Sequence, residues 1–529
     1  MLVGTDFERS VSARLLDFFA AETLWQRRLW DVGACSSLRE LVEATAAVAD
    51  GALTQESVNW FKASLSETLG PDVGIGSPEQ RRVLQGALKS DLVAGSHEVS
   101  IVRQIADSAE NTYLSSWASA LGSNKVTAFR TERVARAVSA HMLSRGFSPQ
   151  YLHRWWTFHL KHEPGTRGLG DLVDDAHNRS TQPLQSFEVI APLRAASGRV
   201  REIPEWLSAK TTSEILSPHT RRPMSGLAGA LRFSVEARDT DAAVDIAADR
   251  VDRYVARITL GGRNEHLEPM KHAWVSQSGH DFSRTHLRPR RGLEIPVLYR
   301  REEPITASVD PQIDASLELL GPVDLGSPSA AVSGAWAAVE TLLTGPGDRG
   351  KVQAADRLAS LIVCSFVRAE LTELAHSYLA KGSDASFVDE IGKAETNTRR
   401  AGLMADLLHS SPVTFPDPSE QAAADRMHRI LANPHSGLAD VENHVKRVIR
   451  RLYRVRNLVL HNAATNSTTL TAALRTAVPL LGTGIDRIVR GAVLQECRPL
   501  ELAARARIVL DTASNLRPAE FADLLGLAD

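Results

Sequence analysis

Cysteine is scarce in this sequence, with three residues in 529. Cys35, Cys364 and Cys497 lie far apart and form no CxxC pair, so their spacing excludes a disulfide framework and gives no support for a zinc site. The 17 histidines supply no HExxH pattern either. We therefore expect no bound metal and no other cofactor.

Long apolar runs are also missing. The most apolar stretch, 472–494, falls short of the ~18 uninterrupted residues of a membrane span. It is broken by four charged residues: Arg475, Asp486, Arg487 and Arg490. Near the amino terminus, Asp6 and Glu8 stand where a signal peptide has basic residues. These absences predict a cytoplasmic protein with no membrane role.

A large net charge of either sign is absent as well. The chain has 61 basic and 63 acidic residues, and its formal net charge is -2. With 43% hydrophobic and 23% charged residues, the composition is typical of a globular chain and differs from that of a globally basic nucleic-acid binder. Any contact with nucleic acid must therefore come from a local patch.

The length exceeds that of one ordinary core and predicts about two to four domains. From about 7 to 162, apolar residues recur at three- and four-residue steps, which predicts helices. Turn-forming residues concentrate at 162–170 and again at 321–329. We expect a mainly α fold with three domains: a helical domain over 1–175, a small α+β domain over 180–310 and a second helical domain over 325–529.

The middle of the chain carries the strand signals. Residues 231–237 alternate apolar and polar side chains, the pattern of a strand with one buried face. Residues 242–260 follow with an apolar stripe at helical spacing, which predicts a strand–helix unit. Further strands are predicted at 186–192, 271–277 and 293–299.

After residue 330, helical patterns separated by Pro-containing breakers predict a helical bundle. The expected helices span 331–343, 350–379, 389–408, 418–431, 438–462, 468–490 and 500–512.

One of these helices has an unusual charge pattern. Between 441 and 461 the only acid is Glu442, against six basic residues: Lys446, Arg447, Arg450, Arg451, Arg454 and Arg456. A row of side chains separated by 4, 3 and 4 positions projects from one helical face. Its members are Arg450, Arg454, Asn457 and His461.

This row contains the groups that cleavage of an RNA backbone needs. Arginines neutralise phosphate, an amide fixes geometry, and an imidazole that titrates near neutrality moves protons. In such a reaction the 2′-hydroxyl of the RNA attacks the adjacent phosphate, while arginine stabilises the charge that develops on the phosphoryl oxygens. No metal is required for this chemistry.

The pattern Arg456-Asn457, followed after Leu458-Val459-Leu460 by His461, resembles the Arg–polar–His motif of the HEPN superfamily. The similarity is greatest to the Apea-like HEPN domains of phage-defence and abortive-infection proteins, where a helix like Trp336–Leu343 opens the domain. It extends over about 331–529, and earlier residues are not covered by it.

The resemblance implies a metal-independent endoribonuclease that acts in antiviral defence or as a toxin. Arg456, Asn457 and His461 are then the catalytic residues, in a site formed by two motifs across a homodimer or higher oligomer. The products would carry a 2′,3′-cyclic phosphate and a 5′-hydroxyl. The other arginines of the helix are expected to bind RNA: Arg447, Arg450, Arg451 and Arg454. A regulatory or sensor partner is also expected, since the earlier domains would sense a trigger or restrain the nuclease.

Three alternatives stay open. Arg454 shares the face of His461 on a regular helix, whereas Arg456 is rotated by about 140°, so either arginine could be the catalytic one. The second alternative is a non-catalytic helical protein whose basic helix docks RNA, DNA or a protein partner, and the third is a purely structural oligomer. A second match to the spacing, Arg136 to His141, lacks the polar residue after the arginine and is interpreted as structural.

Overall fold

The computed structural model describes residues 5–122, 130–162, 167–261, 266–288, 290–300, 310–348, 350–462 and 468–527. Helices dominate, and the single sheet of the described part is antiparallel and lies in the middle of the chain. The predicted fold class, mainly α with a small central α+β region, is therefore confirmed.

The chain divides into two compact units, which differs from the expected three domains. The first contains Met1–His141, His159–His177 and Arg291–Asp529, and the second contains Met142–Phe158 and Asn178–Arg290. The amino-terminal helices up to His141 and the carboxy-terminal bundle thus belong to the same unit. Sequence periodicity identifies helices but carries no information about which distant helices share a core.

Nine helices open the described chain, and several begin at clear side-chain caps. Thr5 and Ser77 each form a capping box, in which the side chain and the third helical residue satisfy each other's backbone amides. The helices are α1 (Asp6–Phe19), α2 (Ala34–Ala49), α3 (Gln55–Leu69), α4 (Pro78–Lys89), α5 (His97–Glu110), α6 (Tyr113–Gly122), α7 (Thr131–Ser144), α8 (Pro149–His162) and α9 (Leu169–Thr181).

The second unit contains the sheet. Its strands are β1 (Gln185–Ala196), β2 (Trp206–Ser208), β3 (Gly229–Ala237), β4 (Leu267–Pro269), β5 (His272–Ser276) and β6 (Ser283–His286), in the order β2-β3-β1-β5-β6 with β4 also paired to β1. Strand β3 alternates buried and exposed residues as its sequence predicted. Helix α11 (Thr240–Gly261) covers one face, while Leu216 of α10 (Ala209–Leu216) packs with Ile190 and Trp274 on the other.

One predicted strand, 293–299, is wrong. The segment instead leads into a short helix, α12 (Val297–Arg300), within the first unit. Pro296 has no amide hydrogen to donate within a sheet. The amide of Tyr299 donates to the carbonyl oxygen of Pro296 (3.2 Å), which forms a turn.

The rest of the first unit is a helical bundle. Its members are α13 (Pro311–Leu325), α14 (Pro328–Leu343), α15 (Val352–Lys381), α16 (Ala385–Lys393), α17 (Asn397–Ser410), α18 (Pro418–Ala432), α19 (Pro434–Asn462), α20 (Thr468–Gln495) and α21 (Pro499–Asp511). The expected helix over 389–408 is two helices, because Thr396 caps α17. The turn-rich segment 321–329, which was expected to separate two domains, is largely helical: α13 continues through Pro322 to Leu325. It packs so closely on α14 that a Cβ at Gly334 would lie 2.2 Å from the carbonyl oxygen of Leu319.

None of the described helices combines the length and the apolar character that a membrane crossing requires.

Candidate active site

The motif lies near the carboxyl end of helix α19. The helix is held by a buried apolar stripe whose members are Val445, Val448, Ile449, Leu452 and Val455. Arg456 is half-buried, and its Nη1 donates to Asn457 Oδ1 (2.9 Å); Asn457 itself is 5% exposed. The backbone of His461 belongs to α19, but its side chain lies outside the described part of the structure. The structure thus brings Arg456 and Asn457 together and leaves their geometry toward His461 as a prediction.

Arg454 has a different environment from Arg456. Its side chain is 1% exposed, and its Nε and Nη2 donate to Glu40 Oε1 at 3.1 and 2.7 Å. The ring of Phe61 lies 3.8 Å from its guanidinium carbon, a cation–π contact. No ion pair is formed by Arg456 within the described chain. Of the two candidate arginines, Arg456 is therefore the one whose positive charge is not already neutralised by a carboxylate.

Arg451 shares the same acidic partner. It is 5% exposed, its Nε donates to Glu40 Oε2 (2.7 Å), and its Nη2 donates to Ser37 Oγ (3.3 Å). Burial acts to raise the pKa of Glu40, but the charges of Arg451 and Arg454 outweigh it and lower that pKa below the ordinary value. Glu40 is therefore ionised at neutral pH and bridges α2 to α19.

The expected role of Arg451 and Arg454 in RNA binding does not fit this arrangement. Both guanidinium groups are buried against α2 and α3, where a second macromolecule cannot reach them. The correction has a simple physical cause: helix periodicity shows which residues share a face, but not what covers that face.

Arg450 and Arg447 are less deeply buried. Arg450 pairs with Asp356 through two hydrogen bonds (2.8 and 2.5 Å), and its guanidinium lies 4.1 Å from the ring of Trp60. Arg447 contacts the imidazole of His444. Their predicted contacts with RNA stay predictions.

A cavity of about 1010 Å³ lies beside α19 within the first unit. Across one wall, Arg136 Nη1 lies 2.9 Å from His444 Nδ1 and 3.0 Å from Asp31 Oδ2. Burial, together with the charges of Arg136 and Arg447, lowers the pKa of His444 to about 4. Burial opposes ionisation of Asp31, but its positively charged neighbours lower its pKa well below the ordinary value. At neutral pH this cluster contains a neutral imidazole and a carboxylate held by arginine.

Sequence reasoning missed this cluster. Asp31, Arg136 and His444 are far apart in the chain, and none stands in a recognisable motif with the others. The one sequence feature that pointed toward the cluster was the excess of positive charge around 441–461, because buried positive charges need acidic partners elsewhere in the fold. The second match to the motif spacing has structural contacts: Arg136 pairs with Asp31 and Glu132, and His141 is 3% exposed and stacks on Tyr113.

One further arginine near the motif helix is unusual. Burial and the charge of Arg451 lower the pKa of Arg475 to about 10. Its Nε and Nη2 are buried with no hydrogen-bond partner in the described structure, and Nη1 of Arg454 has none either. Positive charge therefore exceeds negative charge where α19 and α20 meet.

Among the described residues, no group of three or more histidine, cysteine or acidic side chains is arranged to hold a metal ion. Comparisons with family models, with curated proteins and with solved structures give no match for this chain.

Proposed function

We propose that the protein is a metal-independent endoribonuclease of the HEPN type, acting as an effector in antiviral defence or as a toxin. Arg456 stabilises the charge on the phosphoryl oxygens, Asn457 orients Arg456, and His461 transfers protons. The observation that carries the proposal is the pairing of Arg456 with Asn457 on α19. It leaves a half-buried guanidinium, without a carboxylate partner in the described chain, five positions before the histidine of the motif.

The electrostatics of the site support an anionic substrate. The half-buried guanidinium of Arg456 contacts a neutral amide and has no carboxylate partner in the described chain. A phosphodiester brings negative charge and several strong acceptors, which is what such a surface binds best.

The contacts of α2 and α3 support a second part of the proposal, restraint of the nuclease. Glu40 pairs with two arginines of α19, while Trp60 and Phe61 cover two guanidinium groups of that helix. These contacts fix the position and orientation of α19. A trigger that loosens them would change the motif helix directly, and the paired motif of a second copy would complete the site.

The first experiment is incubation of total RNA with wild type, His461→Ala and Arg456→Ala in EDTA, followed by analysis of the fragment ends. We expect cleavage by wild type alone, with 2′,3′-cyclic phosphate and 5′-hydroxyl ends. The matched control is His435→Ala, which removes an exposed histidine at the opposite end of the same helix and should leave cleavage unchanged. Cleavage by His461→Ala would disprove the assignment.

The competing function is a protein that binds RNA, DNA or an acidic partner without cleaving it. The structure alters how this alternative is tested. Charge reversal at Arg451 would break a buried ion pair and unfold the helix contact, so the test uses the more accessible Arg447 and Arg450 separately. Binding that survives His461→Ala, falls on charge reversal at either arginine and never accompanies cleavage would favour the binding function.

A further inference from the structure

The cavity beside α19 is distinct from the motif. It is lined by residues from the amino-terminal part of the first unit and by residues of α18 and α19, and neither Arg456 nor Asn457 lines it. Its volume of about 1010 Å³ is at the upper end of the ~300–1,000 Å³ typical of small-molecule sites. The proposed nuclease chemistry makes no use of it.

The carboxylates inside the cavity already accept from nearby donors. Asp31 accepts from Arg136 Nη1 (3.0 Å), and its charge also acts on Arg447. Glu132 accepts from Arg14 Nε (2.6 Å), Arg136 Nε (3.2 Å) and Arg426 Nη1 (3.3 Å). Asp72, which is 7% exposed, accepts from its neighbours as well. Its donors are Tyr113 Oη (2.7 Å), Trp117 Nε1 (3.1 Å) and the amide of Gly74 (2.9 Å).

The donors inside the cavity are not all used. Within the described residues, the hydrogen bond of Arg133, which is half-buried, is a long one to the carbonyl oxygen of Thr68 (3.4 Å). Arg447 is half-buried and contacts the neutral imidazole of His444. Nε of Arg426 is buried and has no hydrogen-bond partner in the described structure. Neither Arg133 nor Arg447 forms an ion pair with another described residue.

The surplus is therefore one of positively charged donors over free acceptors, and it lies in the interior. The rim has both signs of charge, with exposed acids and bases: Glu67, Asp425, Asp440, Arg130 and Arg429. A neutral or cationic ligand would leave the interior arginines unsatisfied. An anion with several oxygen acceptors would satisfy them, and arginine forks match the geometry of phosphate oxygens.

We propose that this cavity binds a phosphorylated small molecule of about nucleotide size, with Arg133 and Arg447 as its main phosphate contacts. The half-buried side chains of Val32 and Ala137 in the lining supply apolar wall for an organic moiety. Because Arg447 and His444 lie on α19, the occupied site is in direct contact with the helix that carries the proposed ribonuclease motif.

The test is isothermal titration calorimetry of the full chain in EDTA with four probes: ATP, inorganic pyrophosphate, inorganic phosphate and adenosine. We expect ATP to bind most tightly, the two inorganic anions to bind more weakly, and adenosine not to bind. ATP binding that is tighter than pyrophosphate binding supports an organic phosphate as the ligand. Equal binding of the two would overturn the proposal of a nucleotide-sized ligand, because the organic moiety would then make no contact. Neither result depends on RNA cleavage.

Variants locate the binding. Arg133→Gln and Arg447→Gln remove charges that have no ion-pair partner in the described chain, so both should fold, and each should weaken ATP binding about tenfold or more. The matched control is Arg103→Gln, which removes an exposed arginine outside the cavity and should bind like wild type. The proposal is overturned if wild type binds neither ATP nor pyrophosphate at about 1 mM, the weakest affinity a specific site of this kind would have. Adenosine binding as tight as that of ATP, unchanged binding in both cavity variants, or an equal loss in Arg103→Gln would also overturn it.

Discussion

Removal of the Glu40 charge should destabilise the first unit strongly. Glu40 is 1% exposed and is the only acid that pairs with Arg451 and Arg454 in the described structure. Glu40→Gln keeps the shape of the side chain but leaves two buried guanidinium groups without a counter-charge. Loss of one partner from a buried ion pair costs about 3–5 kcal/mol. For a unit of this size we expect Tm to fall by roughly 4–6 °C, because the unfolding entropy is about 2.1 cal/mol/K per residue.

The assay is scanning calorimetry of the full chain, which also separates any independent transition of the second unit. The control, Glu56→Gln, removes an exposed acid from neighbouring α3 and should change the stability by less than about 0.5 kcal/mol. A double-mutant cycle then isolates the interaction. Arg454→Met in the Glu40→Gln background should cost much less than it does in wild type, because the charge it removes is already unpaired.

Two results would refute this reasoning. A Tm fall of less than about 1 °C for Glu40→Gln would mean that water or another group solvates both arginines after the charge is lost. Strict additivity in the cycle would mean that the two side chains do not interact energetically, whatever their separation.

Three further predictions concern other parts of the fold. The pKa of His444 is lower in the folded protein than in the unfolded chain, so the unfolded state takes up the proton first as the pH falls. The free energy of unfolding should therefore decrease by about 1–3 kcal/mol from pH 6.5 to pH 4. Urea unfolding should show a weaker pH dependence of this free energy for His444→Asn. Asp239→Ala removes a 3% exposed carboxylate that caps α11 and should cost about 1–3 kcal/mol, seen as faster amide exchange in the first turn of α11. Gly482→Ala places a Cβ 2.3 Å from the carbonyl oxygen of Glu294 and should lower stability by about 1–3 kcal/mol. The control, Gly86→Ala, places its Cβ in open space and should raise stability slightly. Similar Tm values for the two variants would contradict this prediction.

Much of the local structure could be predicted because it depends on neighbours in the sequence. Strand β3 alternates as its residues do, since a strand with one buried face needs a period of two. Helix α18 begins at Pro418 as expected, because proline is tolerated in the first turn. Helix α19 begins at Pro434, before its expected start at 438. Predictions of helix ends were wrong where tertiary packing determines the structure. Helix α13 continues through Pro322, because its close contact with α14 outweighs the turn-forming residues.

The candidate site could be predicted only in part, for a physical reason. The charge imbalance around 441–461 is visible in the sequence, but the compensating acids are Glu40, about 400 residues earlier, and Asp356. Nothing local marks these acids as partners, because ion pairing depends on the fold and not on sequence distance. The same limitation applies to the cavity, whose walls come from both ends of the chain.

The two arginines considered for the catalytic role differ in whether a carboxylate already pairs with their charge. The helical angle favoured Arg454, but a guanidinium held by Glu40 has little capacity to stabilise new charge on a phosphoryl group while that carboxylate stays in place. Among the described residues, Arg456 donates to a neutral amide and pairs with no carboxylate, so its charge is available. The distinction has a measurable form. Arg454→Ala should lower Tm and activity together, whereas Arg456→Ala should abolish cleavage at an almost unchanged Tm. If Arg456→Ala instead cleaved RNA normally, the catalytic arginine would have to be Arg454, freed by displacement of α2.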